Sequence, residues 1–590
     1  MRAMGAVLWV LVSWVSVAFA AKVRVHRSVW GDRPLTGRVF LFVAKGAEVE
    51  PRRGITPNQD TEQFFGKDVH NWVYSRDGPV VFTDQDLGYP RSSLSEMDDM
   101  FEYRFQVVFQ PYEKYDRKEP VWLPSFEANK HMGGGFSIHP GVLYSIPEHA
   151  VFNASGANME FFLRFVQGRE QNIDSKNDTK YIKHVSVKSE LLTKFWGRDI
   201  YIDACVLVPY GFDEHPQARY PLMLYHGHFH PDFATPNGFS EHPPDDSLKG
   251  YDRVSAEYAY RFYKNWTNPN GGPFHKNRVL IVTLKHANPY FDDSYAVNSE
   301  NLGPYGDAIM DEVLPKLEHQ FRGISKGWAR ATYGGSTGGW VSLASQIMYP
   351  DSFNGCYSSC PDPIAFQAYT TVNIYNDTNA YWLDSPWKRT LRAATRGKIS
   401  NLIYPGFGSP NEIVTSTQQE QNQMELVTGT LARSGGQWDI WQAVFGPRDK
   451  STGHVIPIWD KKSGVINKTV AGFWRDNYDL AHIIVRDWHK LAPKLQGKIH
   501  LSVGIGDTYY LNNAVYAFED ALKTLDPPAE ATFTYGSHDG RVYAHCYGGQ
   551  EYGVPNSIAR LLINARIVPR AVQRMVDTAP IDADVTSWRY

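Results

Sequence analysis

The stretch ATYGGSTGGW, Ala331 to Trp340, does most to limit what this chain can fold into. One serine, Ser336, sits among Gly334, Gly335, Gly338 and Gly339. Before it, WARATYGG reads as a short strand; after it, TGGWVSLASQIMYP reads as a helix with Trp340, Leu343 and Ile347 on one face. Gly334-x-Ser336-x-Gly338 is the pattern of an elbow in which the serine backbone is strained and its small neighbours avoid the adjoining strand and helix. The helix start aims backbone N–H groups at the serine oxygen, where negative charge would develop in a reaction. An ordinary glycine-rich turn carries the same letters, so the rest of the chain has to supply partners.

At 590 residues the chain exceeds one compact domain. Its style changes near residue 180. Earlier runs such as GRVFLFVA (37–44), PVVFT (79–83), YRFQVVFQ (103–110) and MEFFLRFV (159–166) are β-rich, alternate with turns and show little helical period, which predicts a β-sandwich-like domain over 21–180. From 181 to 590 strands and helices alternate, as a parallel sheet requires. DIYIDACVLVP (199–209), PLMLYHG (221–227) and RVLIVTL (278–284) read as strands, the last apolar enough to be covered on both faces. GDAIMDEVLPKLEHQF places Ile309, Val313, Leu317 and Phe321 on one stripe, with a bend expected at Pro315. The fold class expected is therefore α/β: a mostly parallel sheet with helices on both faces, preceded by the β-sandwich.

Residues 1–20 carry Arg2, an apolar run and Ala18-Phe19-Ala20, the small-x-small pattern of a cleaved signal peptide, with an uncleaved anchor as the alternative. Export makes disulfides available to Cys205, Cys356, Cys360 and Cys546. Cys356 and Cys360 share a predicted strand and are too far apart to join each other. Cys360 and Cys546 both follow strands at one sheet edge, so a bridge between them would restrain that edge; Cys205 reads as a buried thiol. Sequons at Asn153, Asn177, Asn265, Asn376 and Asn467 are glycan acceptors in a eukaryotic secretory pathway. A formal charge of -3 argues against a nucleic-acid partner or a polybasic membrane contact, and no later segment is apolar enough to span a bilayer.

Partners for Ser336 appear in the chain order Ser, Asp, His. KIHLSVGIGD (498–507) is a strand ending in Asp507, and ATFTYGSHDG (531–540) is a strand ending in His538; YLNNAVYAFEDALKTL between them reads as the connecting helix. Both residues fall on loops at the carboxyl ends of strands, where ligands bind. His538 is expected to take the proton from Ser336, and Asp507 to hold the imidazole in the right tautomer. His545, in RVYAHC, competes for the role; His538 is preferred because it directly follows the strand. Asp362, in SCPDP, is the alternative acid, while Asp539 lies too close in sequence to orient His538.

An oxyanion hole needs two backbone donors, expected from Thr337 and from the loop LYHGHFHPD (224–232), with His228 or Phe229 as the second. The alternation of His226, His228 and His230 also raises a metallohydrolase, with Asp232 or His242 as further ligands, although the H-x-H-x-D-H pattern is not completed. The segment from 366 to 495 is rich in Trp and Tyr and reads as an insertion that caps the site. Most of its aromatics are expected to pack its own core, with Tyr381, Trp382, Trp438 or Trp441 facing substrate, and His226 is a further substrate-contact candidate.

The early His226-Gly227, AVNSENLGPYGDAIMDEVLPKLE (296–318), YGGSTGGW, GIGDTYYLNNAV and GSHDG together resemble the esterases of the esterase D and enterochelin-esterase type within the α/β-hydrolase superfamily, over roughly residues 180 to 570. The resemblance implies a serine hydrolase with Ser336, Asp507 and His538 as its triad, an N-terminal β-sandwich that helps shape the substrate site, and no cofactor. Two departures stand out: DGR follows His538 where many relatives have an aromatic residue, and the insertion is long. The function expected is an exported serine esterase acting on a small-molecule or carbohydrate ester, with no nucleic-acid partner and no membrane contact after signal cleavage. An acyltransferase with the same triad and a binding protein on a hydrolase scaffold are the alternatives.

Overall fold

The computed structural model describes residues 20–590 except 26, 47–49, 56–60, 125–139, 153–157, 169–177, 228–237, 384–388, 398–412, 539–540 and 552. Two compact units emerge, Met1–Pro111 with Gly141–Gln167, and Tyr112–Pro140 with Gly168–Tyr590. In place of one boundary near residue 180, the chain leaves the first unit after Pro111, returns at Gly141 and leaves again after Gln167.

In the first unit the strands Leu35–Ala44 and Gln63–Trp72, with Glu102–Tyr115 as far as Pro111, lie antiparallel at the centre of one sheet, and Asn158–Leu163, Ala20–Val25 and Val80–Phe82 form a second. Val39, Leu41 and Val43, with Phe105, Val107 and Phe109, occupy alternate positions and so point to one face. There they share a buried core with Val80, Phe82, Phe161 and Leu163 of the smaller sheet. Two sheets on one core make the expected sandwich.

The second unit is built on a nine-stranded sheet. Its strands are β1 (Ile182–Ser189), β2 (Ile200–Leu207), β3 (Leu222–His226), β4 (Leu280–Lys285), β5 (Arg330–Gly335), β6 (Cys356–Ser359), β7 (Ile499–Gly504), β8 (Thr532–His538) and β9 (Arg541–Val542). Their spatial order is β1-β2-β4-β3-β5-β6-β7-β8-β9. Neighbours from β4 to β8 run parallel, and β1, β2 and β9 pair antiparallel at the two edges. All carboxyl ends of the parallel strands therefore face one edge, where β5 delivers the serine and β7 the acid.

Helix α1 (Gly250–Trp266) precedes β4, and α2 (Thr337–Met348) follows β5. The helical stretch over 305–320 buries Ile309, Val313 and Leu317 as its period predicts. Its irregularity is a π-helical segment, Ala308–Val313, just ahead of Pro315: a proline has no N–H to return to the preceding turn, and the helix resumes α geometry at Leu314–Gln320.

The expected insertion contains α3 (Gln418–Thr428), α4 (Gln437–Phe445), α5 (Lys468–Tyr478) and α6 (Leu480–Leu495). Helix α6 packs on α2 and leads directly into β7, so it is the crossover helix of the sheet itself. The remainder shares one core with the sheet. Tyr369 lies 5.6, 5.1, 5.7 and 5.5 Å from Trp438, Trp441, Trp459 and Trp474, and Phe445 carries the packing on to Trp340 of α2 at 5.0 Å. Tyr381 is fully buried with its hydroxyl on the Lys461 carbonyl (2.8 Å), and Trp438 and Trp441 are buried, so these three pack the interior where substrate contact was expected. Trp382 is half-buried under the Arg389 guanidinium. Below them Lys461 is buried between Glu425 (2.7 Å) and Asp439, while Glu425 also accepts the N–H groups of Trp438 and Asp439 at the start of α4, both at 2.9 Å.

Candidate active site

Ser336 joins β5 to α2 with φ 57° and ψ -122°, a backbone conformation that residues with side chains rarely hold. The end of β6 holds it there: Ser336 N–H donates to the Ser359 carbonyl (3.0 Å), and Asp362 N–H donates to the Ser336 carbonyl (3.2 Å). The crowded glycines follow from packing. A β-carbon on Gly334 would lie 2.4 Å from the His226 carbonyl oxygen, and one on Gly338 only 2.0 Å from it, so β3 can run beside the elbow only if both positions lack side chains. Thr337 opens α2, and its N–H has no partner within the helix.

Asp507 follows β7 and is fully buried. Its Oδ1 accepts from Tyr509 N–H (2.9 Å) and Leu511 N–H (3.4 Å), leaving Oδ2 directed at an imidazole. That imidazole belongs to His545, whose Nδ1 is 3.0 Å away. Here the structure differs from the sequence expectation, which placed His538 in this position. β8 pairs back on β9 with His538 opposite Arg541, and the chain then runs along the end of β7. Gly504 admits it: a β-carbon there would meet the Tyr543 carbonyl oxygen at 2.1 Å, and Gly506 N–H donates to that carbonyl (3.0 Å). Two residues later the chain presents His545 to Asp507. The His538 side chain lies outside the described ones.

A disulfide between Cys360 and Cys546, with Cα atoms 5.4 Å apart, ties the residue after His545 to the end of β6, as the sequence suggested. Gly335, which precedes the serine, has open space only as far as Cys546 Sγ, 3.3 Å from where its β-carbon would be. The histidine loop is thus pinned against the elbow. Cys205 and Cys356 are buried thiols outside the bridge, and burial pushes Cys356 up to about 12. Among the described residues the one cluster of metal-type ligands is Cys360, His545 and Cys546, and its two sulfurs are already joined.

Burial opposes the charged form of His545, but the charge of Asp507 and its hydrogen bond, with the field of Asp362, outweigh it and hold the imidazole above its ordinary value. Asp362 is buried just beyond β6. Its Oδ2 accepts from Tyr295 OH (2.6 Å) and Thr337 Oγ1 (2.9 Å), and its Oδ1 from Ser336 Oγ (3.3 Å). Burial raises its pKa, and the hydroxyl donors and His545 only partly offset this. Gln437 of α4 donates to Tyr295 OH (2.9 Å). Sequence reasoning considered Asp362 only as a substitute for Asp507; the structure places both at the site.

His226 ends β3 and is buried, with neither ring nitrogen hydrogen-bonded; burial holds it down at about 3, so it is a neutral ring under the elbow. His228, with His230 and Asp232, falls outside the described residues. Sequence reasoning missed Arg396. Fully buried, it reaches from the insertion to the acid loop, donating to the carbonyls of Asp507 (2.9 Å) and Ile505 (3.1 Å) and to Asn512 Oδ1 (3.2 Å), with its guanidinium over the Tyr510 ring. An arginine at the end of the short strand Ala393–Arg396 carries no sequence signal for such a role.

Residues 279–441, from β4 through the serine elbow into α4, match the family described as Putative esterase. No curated protein sequence matches the chain. Among solved structures, a ferulic acid esterase is 12% identical over 67% of this chain and 99% of its own, with a TM-score of 0.34. An S-formylglutathione hydrolase from Agrobacterium tumefaciens is 13% identical over 68% and 99%, with a TM-score of 0.33. The Staphylococcus aureus serine hydrolase FphF is 12% identical over 66% and 98%, also at 0.33. Likeness at this level says nothing of what this chain acts on.

Proposed function

From the match of residues 279–441 to the Putative esterase family, and the α/β sheet around it, the chain is a carboxylic ester hydrolase by class, and we propose that it is a serine esterase working through an acyl-enzyme on Ser336. The observation that carries this reading is the strained Ser336 at the β5–α2 elbow, with the Asp507–His545 pair on loops at the same sheet edge. His545 takes the Ser336 hydroxyl proton as Oγ attacks the ester carbonyl carbon, then gives that proton to the departing alkoxide. Water repeats the sequence to release the acid. Asp507 fixes the tautomer through Nδ1 and supports the imidazolium. The Thr337 N–H is one donor to the oxyanion, with the segment after His226 expected to give the second. The Ser336 hydroxyl donates to Asp362 (3.3 Å) and exchanges that partner for His545 in this step.

The signal-like residues 1–20 and the Cys360–Cys546 disulfide support export into an oxidising compartment, with a small-molecule or carbohydrate ester as substrate. No helix of the described residues is long and apolar enough to cross a membrane. The test is p-nitrophenyl acetate hydrolysis by the mature protein and by Ser336→Ala, with and without chelator. The expected result is a loss of about 10⁴-fold or more in the variant and indifference to chelator. A variant that keeps the wild-type rate, or a wild-type rate abolished by chelator, contradicts the reading.

A further inference from the structure

A triad needs one carboxylate, and this site buries two. Asp507 bonds to the far nitrogen of His545, whereas Asp362 touches the nucleophile itself, with Oδ1 3.3 Å from Ser336 Oγ. Asp362 is also fastened to the elbow by its own N–H on the Ser336 carbonyl, so carboxylate and serine move as one piece. Its second oxygen keeps Tyr295 and Thr337 as donors when the serine turns away, so the departure of Ser336 does not leave the carboxylate bare. The Trp441 indole N–H also bears on this carboxylate, though short of a regular hydrogen bond.

We propose that Asp362 is a further catalytic residue: it holds the Ser336 hydroxyl between turnovers, and its negative charge, set beside that of Asp507, supports the imidazolium that His545 becomes on taking the serine proton. The inference rests on the serine-esterase reading above. In the step itself the Ser336 O–H bond breaks, its proton passes to His545, and the Oγ–carbonyl carbon bond forms; Asp362 gains no proton and loses one hydrogen-bond donor. The ionisable groups facing Asp362 are Tyr295 from the loop after β4, Tyr369 and Tyr509 from the insertion and the acid loop, and His545. Those facing His545 are Asp507 and Asp362, with the Tyr509 ring edge-on to it at 4.9 Å. The tyrosines are held neutral by burial, so the two carboxylates are the charges that the imidazole meets.

The experiment is the rate of fluorophosphonate labelling against pH for wild type and Asp362→Asn, with Ser336→Ala and His545→Ala as controls. Labelling needs a neutral imidazole, so its acid limb reports the His545 pKa. Removing a nearby negative charge lowers that pKa, and the limb is expected about one pH unit lower in Asp362→Asn, with a plateau about tenfold slower. A folded Asp362→Asn whose limb lies within about 0.3 unit of wild type overturns the inference. If that variant does not fold, Asp507→Asn reads the same interaction from the other side. With Asp362 still facing His545 it is expected to lose less than about 10³-fold, and a loss of about 10⁴-fold, as for a triad with a single acid, overturns the proposal. If both controls label like wild type, it is the serine-esterase reading that fails; if they do not label and Asp362→Asn matches wild type, only the role of Asp362 does.

Discussion

Arg396 makes the insertion answerable for the placement of Asp507. Its guanidinium holds the carbonyls of Ile505 and Asp507 and the amide of Asn512, and its own N–H donates to the Thr508 carbonyl (2.9 Å), so one buried residue grips both ends of the turn that presents Asp507. Replacing it by Met preserves length and apolar stem but leaves the Ile505 and Asp507 carbonyls and the Asn512 amide oxygen without this donor, at a cost of about 1–3 kcal/mol for each buried acceptor left unpaired. That loss falls on the acid turn, which is also tied by the bonds from Tyr509 and Leu511 to Asp507, by Gly506 N–H on the Tyr543 carbonyl and by His545 on Asp507. A misplacement of about 1 Å in a catalytic group costs about 10²-fold. Arg396→Met is therefore expected to lower kcat on p-nitrophenyl acetate about 10²-fold with KM little changed, and to move the urea midpoint down. Arg396→Lys keeps the charge but cannot reach both carbonyls with a planar fork, and is expected to fall between the two. An Arg396→Met protein that is destabilised yet turns over at the wild-type kcat would refute the argument. Arg396 would then be a structural cation, and the acid turn would hold Asp507 unaided.

Three further outcomes follow from the packing. Lys461→Met leaves Glu425 and Asp439 buried without their cation and is expected to cost about 3–5 kcal/mol in chemical denaturation; an unchanged midpoint would mean that water already reaches the cluster. Reducing Cys360–Cys546, or the pair Cys360→Ser with Cys546→Ser, frees the loop that carries His545 and is expected to slow fluorophosphonate labelling about tenfold or more, whereas equal labelling with and without reductant would show that Gly504 and Asp507 place the loop alone. Gly338→Ala drives a methyl onto the His226 carbonyl and is expected to abolish labelling through a displaced elbow; full labelling would contradict the close approach of β3.

The serine elbow, the strand-end position of Asp507 and the mostly parallel sheet were legible because each is written in local pattern. A glycine-bracketed serine between a strand and a helix has few structural meanings, and Asp507 stands at a strand end followed by a helix. The histidine that meets Asp507 was not legible, because the return of β8 on β9 carries the chain past His538 and on to His545. A signal for His545 was present in the cysteines: a Cys360–Cys546 bridge ties its neighbour to the end of β6, one residue from the imidazole that meets Asp507. Tryptophan and tyrosine in the insertion could not be sorted by sequence, since an aromatic that lines a site and one that packs a core look alike; Trp438 and Trp441 pack around Tyr369, whereas Trp382 is half-buried outside that cluster. Asp362 was visible as a residue after β6, but its contact with Ser336 depends on the hydrogen bonds that lock β6 to the elbow.

The most direct test of the account is fluorophosphonate labelling of the folded wild type beside Ser336→Ala, His545→Ala and His538→Ala. The account predicts that labelling disappears in the first two variants and persists in His538→Ala. Labelling lost in His538→Ala and retained in His545→Ala would contradict it, and would return the base to the end of β8.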